Sequence, residues 1–161
     1  MKKRCIIVMA IIGLPLMARA ADRPAPQQAL GVVDYYFNGK GQGAVLMDYS
    51  ICSEVAPEGE DKNECRRQAN PMVIPIGEEA FLWMTFLVPA DDQASIPLSF
   101  FRNDRVRKTA DVSLKGAIRY RTWKNIPTDK PGKWTVTIVQ EMSDRDMELG
   151  TLEYTVTESS P

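Results

Sequence analysis

KWTVTIVQ, residues Lys133–Gln140, decides the fold class. Trp134, Val136 and Ile138 fall on one side of an extended chain, and Thr135, Thr137 and Val139 on the other. Successive side chains of a strand point to opposite faces, so this period of two marks a strand with one face on a core. PTDKPG (127–132) precedes it as a strong turn signal, and SDRD (143–146) follows as a hairpin turn. LGTLEYTVT (149–157) then alternates in the same way, with Leu152, Tyr154 and Val156 sharing a face.

Working back along the chain, AIRYRTW (117–123) alternates again. Ile118 and Tyr120 point one way, Arg119 and Arg121 the other. Residues 105–114 hold one or two short strands, and IPLSFFR (96–102) another, ending at an Asn103-Asp104 turn. AFLWMTFLV (80–88) is the most apolar stretch and is hydrophobic on both faces, as expected of a central strand. PADDQA (89–94) reads as a loop. MVIPI (72–76) is an edge strand or bulge, because Pro75 cannot donate to a ladder. LGVVDYYF (30–37) and AVLMDYSIC (44–52) flank the glycine-rich turn 38–43 and are expected to form a hairpin. No segment has a convincing helical pattern. Seven to nine short strands with regular turns predict an all-β fold, a single antiparallel β-sandwich, with a closed barrel as the rival.

The last two strands resemble the final strand pair of bacterial extracytoplasmic immunoglobulin-like domains. In those domains a Pro-Gly turn launches a strand with an aromatic at its start, as Pro131-Gly132-Lys133-Trp134 does here. The resemblance covers the last fifth of the chain and implies an Ig-like sandwich without implying a ligand. Antibody-type domains join distant strands by their disulfide; the two cysteines of this chain outside its first twenty residues are near neighbours.

The N-terminus carries a different pattern. Lys2, Lys3 and Arg4 precede the apolar run 5–17, and Ala18-Arg19-Ala20 supplies the small residues of a cleavage site. These are the three parts of a secretory signal, and the run is short of the ~20 residues that span a bilayer. The expected organisation is a signal peptide at 1–20, a flexible lead-in at 21–29 and an Ig-like domain at 30–157. The mature protein has no membrane span and is periplasmic or secreted.

Of the 20 Lys and Arg, four lie in the first 19 residues, leaving 16 against 21 Asp and Glu, a net charge of −5. An acidic domain has no overall attraction for nucleic acid. There is no histidine, so the commonest general base and metal ligand is missing. Cys52 and Cys65 are expected to pair in an oxidising compartment, closing a polar loop at a gain of about 3 kcal/mol. A Ser-His-Asp or Cys-His arrangement is then impossible. The acidic groups around 54–64 and at 144–148 lack the ordered spacing of a calcium loop, so no metal and no cofactor is expected.

The remaining candidate is a basic group: Arg102, Arg105, Arg107, Lys108, Arg119, Arg121 and Lys124. Arg119 and Arg121 share a face with Trp123 nearby, and together they suit a carboxylate or phosphate. The competing account is a solvated sheet face with Arg–carboxylate pairs. The expected function is binding, without catalysis, of an envelope protein or a small anionic ligand. Its surface is Arg119, Arg121 and Trp123, with Arg105 and Arg107. The alternatives are a carboxylate-dependent hydrolase of envelope polymers and a structural subunit of an envelope complex.

Overall fold

The computed structural model describes residues 25–158; the expected signal peptide lies outside them. The elements are α1 (Pro26–Asn38), β1 (Val45–Val55), β2 (Cys65–Gln68), β3 (Ile74–Pro75), β4 (Phe81–Arg102), β5 (Arg105–Asn125), β6 (Gly132–Glu141) and β7 (Asp146–Thr157). The fold is the expected antiparallel β-sandwich, with one local disulfide. Among the described residues only β3 pairs in parallel, with β7.

Both layers are built on one long hairpin. The first half of β4 pairs with β1 on one edge and with the second half of β5 on the other. The second half of β4 pairs with β6 and with the first half of β5. β2 extends the first layer beyond β1, while β7 and β3 extend the second beyond β6. The two halves of the hairpin meet where the β4–β5 register breaks, between Val88 and Gln93. Gly116 sits at that bend. A Cβ there would lie 2.1 Å from the carbonyl oxygen of Ala90, so only glycine lets the strands approach.

The core lies between the layers. Leu82, Met84, Phe86 and Val88 of β4 meet Ile96, Leu98, Phe100, Val136, Ile138 and Val156. The first half of β4 is buried on both faces, as its sequence predicts, because Trp83, Thr85 and Leu87 are covered from outside. Among the described residues β5 has a strand partner on one edge only. Part of that edge is guarded by side chains: Tyr120 Oη donates to the Ser113 carbonyl, Asn63 to Arg121 and Lys108 to Asn125. Such capping protects an edge strand from pairing with other chains.

Three expectations are corrected. LGVVDYYF is a helix, not a strand, and makes no hairpin with β1. Pro26 stands at the helix start, where its missing N–H costs nothing, and the Gln28 side chain accepts from the Ala25 amide at 3.1 Å. Val32, Tyr35 and Tyr36 are the half-buried side chains, a helical spacing, and the helix packs on β4 and β5. Of the expected lead-in, residues 26–29 are therefore the helix's first turn. Second, PADDQA is not a loop, since β4 continues through it with irregular register. Third, residues 105–125 are one strand rather than two or three.

At the opposite end from α1, the loop 126–131 is fixed by two aromatic side chains. Trp134 Nε1 donates to the Lys130 carbonyl at 3.1 Å, and Tyr154 Oη to the Pro127 carbonyl at 3.0 Å. The two rings stack with centroids 6.0 Å apart. Burial, and secondarily the charge of Asp129, raises the Tyr154 phenol above its ordinary value. Tyr154→Phe leaves the Pro127 carbonyl buried without its donor and is expected to cost about 1–3 kcal/mol. The pH dependence has a definite sign. The unfolded phenol ionises from about pH 10 while the folded one keeps its proton, so its contribution is full below that pH and is lost as pH rises further. Urea unfolding near pH 8 and near pH 11 should show a larger alkaline loss in wild type than in Tyr154→Phe. Equal losses would remove the phenol from the account.

Candidate functional site

Two groups of cations stand at separate places on the sandwich. The first lies on the outer face of the first layer, under the disulfide loop. Cys52 faces outward on β1 and is wholly buried by its bond to Cys65, with Cα atoms 5.8 Å apart. The loop between them closes on itself: the Ala56 amide donates to the Glu64 carbonyl, and the Asn63 amide to Ala56, each at 2.8 Å. Asn63 has φ 63°, a left-handed conformation that asparagine tolerates better than most residues. That turn aims its carbonyl at Trp83 Nε1, 2.6 Å away, and its side-chain oxygen at Trp123 Nε1, 3.3 Å away. Trp83 and Trp123 are directly paired across β4 and β5, and Phe81 packs edge-on against Trp123.

Glu64 lies beside these rings. Its Oε1 is 2.9 Å from Arg119 Nη2 and 3.1 Å from Arg121 Nε. Both contacts are Coulombic, off the hydrogen-bonding line. Arg121 Nη1 also faces the carbonyls of Glu60 and Lys62 at 3.4 and 3.5 Å. Arg119, Arg121 and Trp123 therefore share one face, as alternation predicts. All three already have partners in the disulfide loop.

The second group stands at the β4–β5 turn. Asn103 and Asp104 both have positive φ (52° and 57°), the two-residue hairpin geometry that matches strand twist. This places Arg102 directly opposite Arg105. Among the described residues the ion pairs involve only Arg66, Arg67, Arg119 and Arg121, so none of Arg102, Arg105, Arg107, Lys108 or Lys130 has a carboxylate within 4.0 Å. Arg102 lies 5.8 Å from the Trp134 ring centroid, and its Nη1 is buried without a hydrogen-bond partner. Arg107 and Lys108 face the fixed loop across a cavity of about 360 Å³, which Pro127, Asp129, Lys130 and Trp134 complete. Arg105 is exposed beside it but does not line it.

Three cations and one carboxylate leave this cavity net positive. Its loop is held by the Trp134 and Tyr154 hydrogen bonds and bounded by two prolines, so the wall is organised before any ligand arrives. The sequence places Arg107 and Lys108 in a basic group, PTDKPG in a turn and Trp134 in the core. The turn and the buried Trp134 are both present, but neither spacing nor composition shows that the turn carries Lys130 to within a cavity's width of Arg107. Among the described residues no group of three or more Cys, Asp or Glu is placed to hold a metal ion, and no helix is long and apolar enough to cross a membrane.

No protein-family model matches the chain, and no curated protein sequence matches it. Among solved structures it is similar to the C-terminal domain of wzt, at 14% identity, covering 79% of this chain and 87% of that one with a TM-score of 0.47. It is also similar to a CARDB domain from Pyrococcus furiosus solved in complex with di-metal ions, at 12% identity, covering 72% and 94% with a TM-score of 0.39. The solution structure of that CARDB domain aligns at 11% identity, covering 72% and 95% with a TM-score of 0.36.

Proposed function

We propose that the protein is an extracytoplasmic binding module that captures a small anionic ligand in the cavity between Arg107, Lys108 and Lys130. The carrying observation is that these cations converge on a pre-formed cavity with no ion-pair partner among the described residues. A ligand carboxylate or phosphate would supply the missing charge through charge-assisted hydrogen bonds, and Asp129 would accept a hydrogen bond from a ligand hydroxyl or amine. The N-terminal pattern and the Cys52–Cys65 bond support an oxidising, extracytoplasmic setting. The reading is of a binder and not an enzyme. The cavity has a single carboxylate, the chain has no histidine, and Cys52 and Cys65 are bonded to each other.

The test is calorimetric titration with inorganic phosphate and with citrate at low salt. Arg107→Ala combined with Lys130→Ala is expected to weaken binding about tenfold or more, since hydrogen bonds to charged groups each contribute about 1.5–3 kcal/mol. Arg66→Ala, which lies in β2 far from the cavity in the strand order, should change nothing. Equal affinity in the double variant and wild type, or no binding of either anion, would remove this site.

A further inference from the structure

We infer that Lys62, Arg119 and Arg121 form a second, independent site that accepts the carboxylates of an extended acidic peptide segment, with Glu64 as its built-in competitor. Glu64 satisfies little of what surrounds it. Both arginines address the same oxygen, Oε1, and both do so by Coulombic contact alone. Each guanidinium has five N–H donors. Besides that oxygen, the arginine donors find among the described residues only the Glu60 and Lys62 carbonyls, both facing Arg121 at the outer limit of hydrogen bonding. A depression of about 330 Å³ lies beside them, lined by Lys62, Asn63, Arg119, Tyr120 and Arg121, with no carboxylate in its wall. Its wall presents three cations, while Glu64 lies beside it and Glu60 and Asp61 stand in the same loop.

The period of the site selects the occupant. Arg119 and Arg121 are alternate residues of one strand, so their stems are roughly 7 Å apart. An extended peptide with acidic residues at every second position repeats at the same distance. Charge gives the same answer. β5 holds seven Lys and Arg against one Asp, whereas the chain from residue 21 onward has an acidic excess. A second copy of β5 would repel this strand; an acidic segment would not. The loop already shows the mode of contact, because it lays an acidic residue on the arginines and an asparagine on the tryptophans.

The experiment is fluorescence anisotropy of a labelled E-T-E-T-E-T peptide at low ionic strength, where such contacts are least screened. Wild type is expected to bind weakly. Glu64→Gln should bind roughly threefold to fivefold more tightly, the scale of an exposed ion pair, and Arg119→Ala and Lys62→Ala should each bind more weakly. Arg107→Ala with Lys130→Ala should match wild type, which separates this site from the cavity proposed above. Tryptophan emission and an intact disulfide would establish that each variant is folded. Loss of binding in Glu64→Gln would show that Glu64 positions the arginines instead of competing, and would overturn the inference. So would loss confined to the Arg107/Lys130 variant, equal binding by every variant, or no binding by wild type.

Discussion

Trp134→Ala is expected to destabilise the fold by about 3–5 kcal/mol, the usual cost of truncating a buried aromatic, and to abolish anion capture with it. Trp134 is 2% exposed and has three distinct contacts. Its ring stacks on Tyr154, its indole N–H holds the Lys130 carbonyl, and the Arg102 guanidinium lies over its face. Alanine empties the end of the core, frees the loop that carries Asp129 and Lys130, and leaves Arg102 half-buried with neither ring nor acceptor. Trp134→Phe separates these effects. It keeps an aromatic in the stack and loses mainly the bond to Lys130, so its stability cost should be nearer 1 kcal/mol beyond packing differences. Its phosphate affinity should still fall, because the loop is no longer fixed. Urea denaturation and phosphate titration on the same samples check both. A loss below about 1 kcal/mol for Trp134→Ala would mean that the ring is not a packing anchor, and unchanged phosphate affinity in Trp134→Phe would mean that the loop needs no anchor.

What the sequence disclosed follows from the range of the interactions concerned. β6 and β7 were legible because one face of each is packed and the other is not, so Trp134, Val136, Ile138 and Tyr154, Val156 stand out at a period of two. The disulfide was legible because it is local. Helix α1 was not, because Val32, Val33, Tyr35, Tyr36 and Phe37 are residues of strand-like composition. What makes them helical is Pro26 at the start, the Gln28 cap and the packing of the helix on β4 and β5, with Val32, Tyr35 and Tyr36 half-buried. Leu30 and Phe37 remain exposed, which blurs the helical period in the sequence. Residues 89–94 were misread because their polar composition is that of a loop, whereas β5 holds them extended from across the hairpin.

The same division runs through the candidate sites. Alternation alone places Arg119 and Arg121 on one face. Nothing in their neighbourhood of the sequence says that their carboxylate comes from Glu64, more than fifty residues earlier, delivered by a loop whose direction is set by a left-handed Asn63. Lys130 likewise meets Arg107 only because β5 folds from one layer to the other. Residue type and spacing identify which side chains are available for anion recognition. The long-range pairing decides which of them are already occupied.

Removing the disulfide by Cys52→Ala with Cys65→Ala is expected to cost about 2–4 kcal/mol, since a bond spanning so few residues restricts the unfolded chain by about 3 kcal/mol. Cys52 is wholly buried on the outer face of β1, so alanine adds a small packing loss to the entropic one. The loop should not detach completely. The paired amides of Ala56 and Asn63, the Asn63–Trp83 bond and the Glu64–arginine contacts remain. They are polar and exposed at their rim, which gives the variant a property wild type lacks. With the covalent closure gone, the loop is held partly by ion pairs, so raising salt from low to about 0.5 M should loosen it by screening those pairs. Wild type should be nearly indifferent to the same change. Denaturant unfolding at two salt concentrations, with limited proteolysis directed at residues 57–62, measures both effects. A salt-independent variant would mean that Asn63 and the tryptophans hold the loop without help from Glu64. An unchanged unfolding midpoint would mean that the noncovalent contacts suffice, and the disulfide's role would then be to keep Cys52 from other thiols.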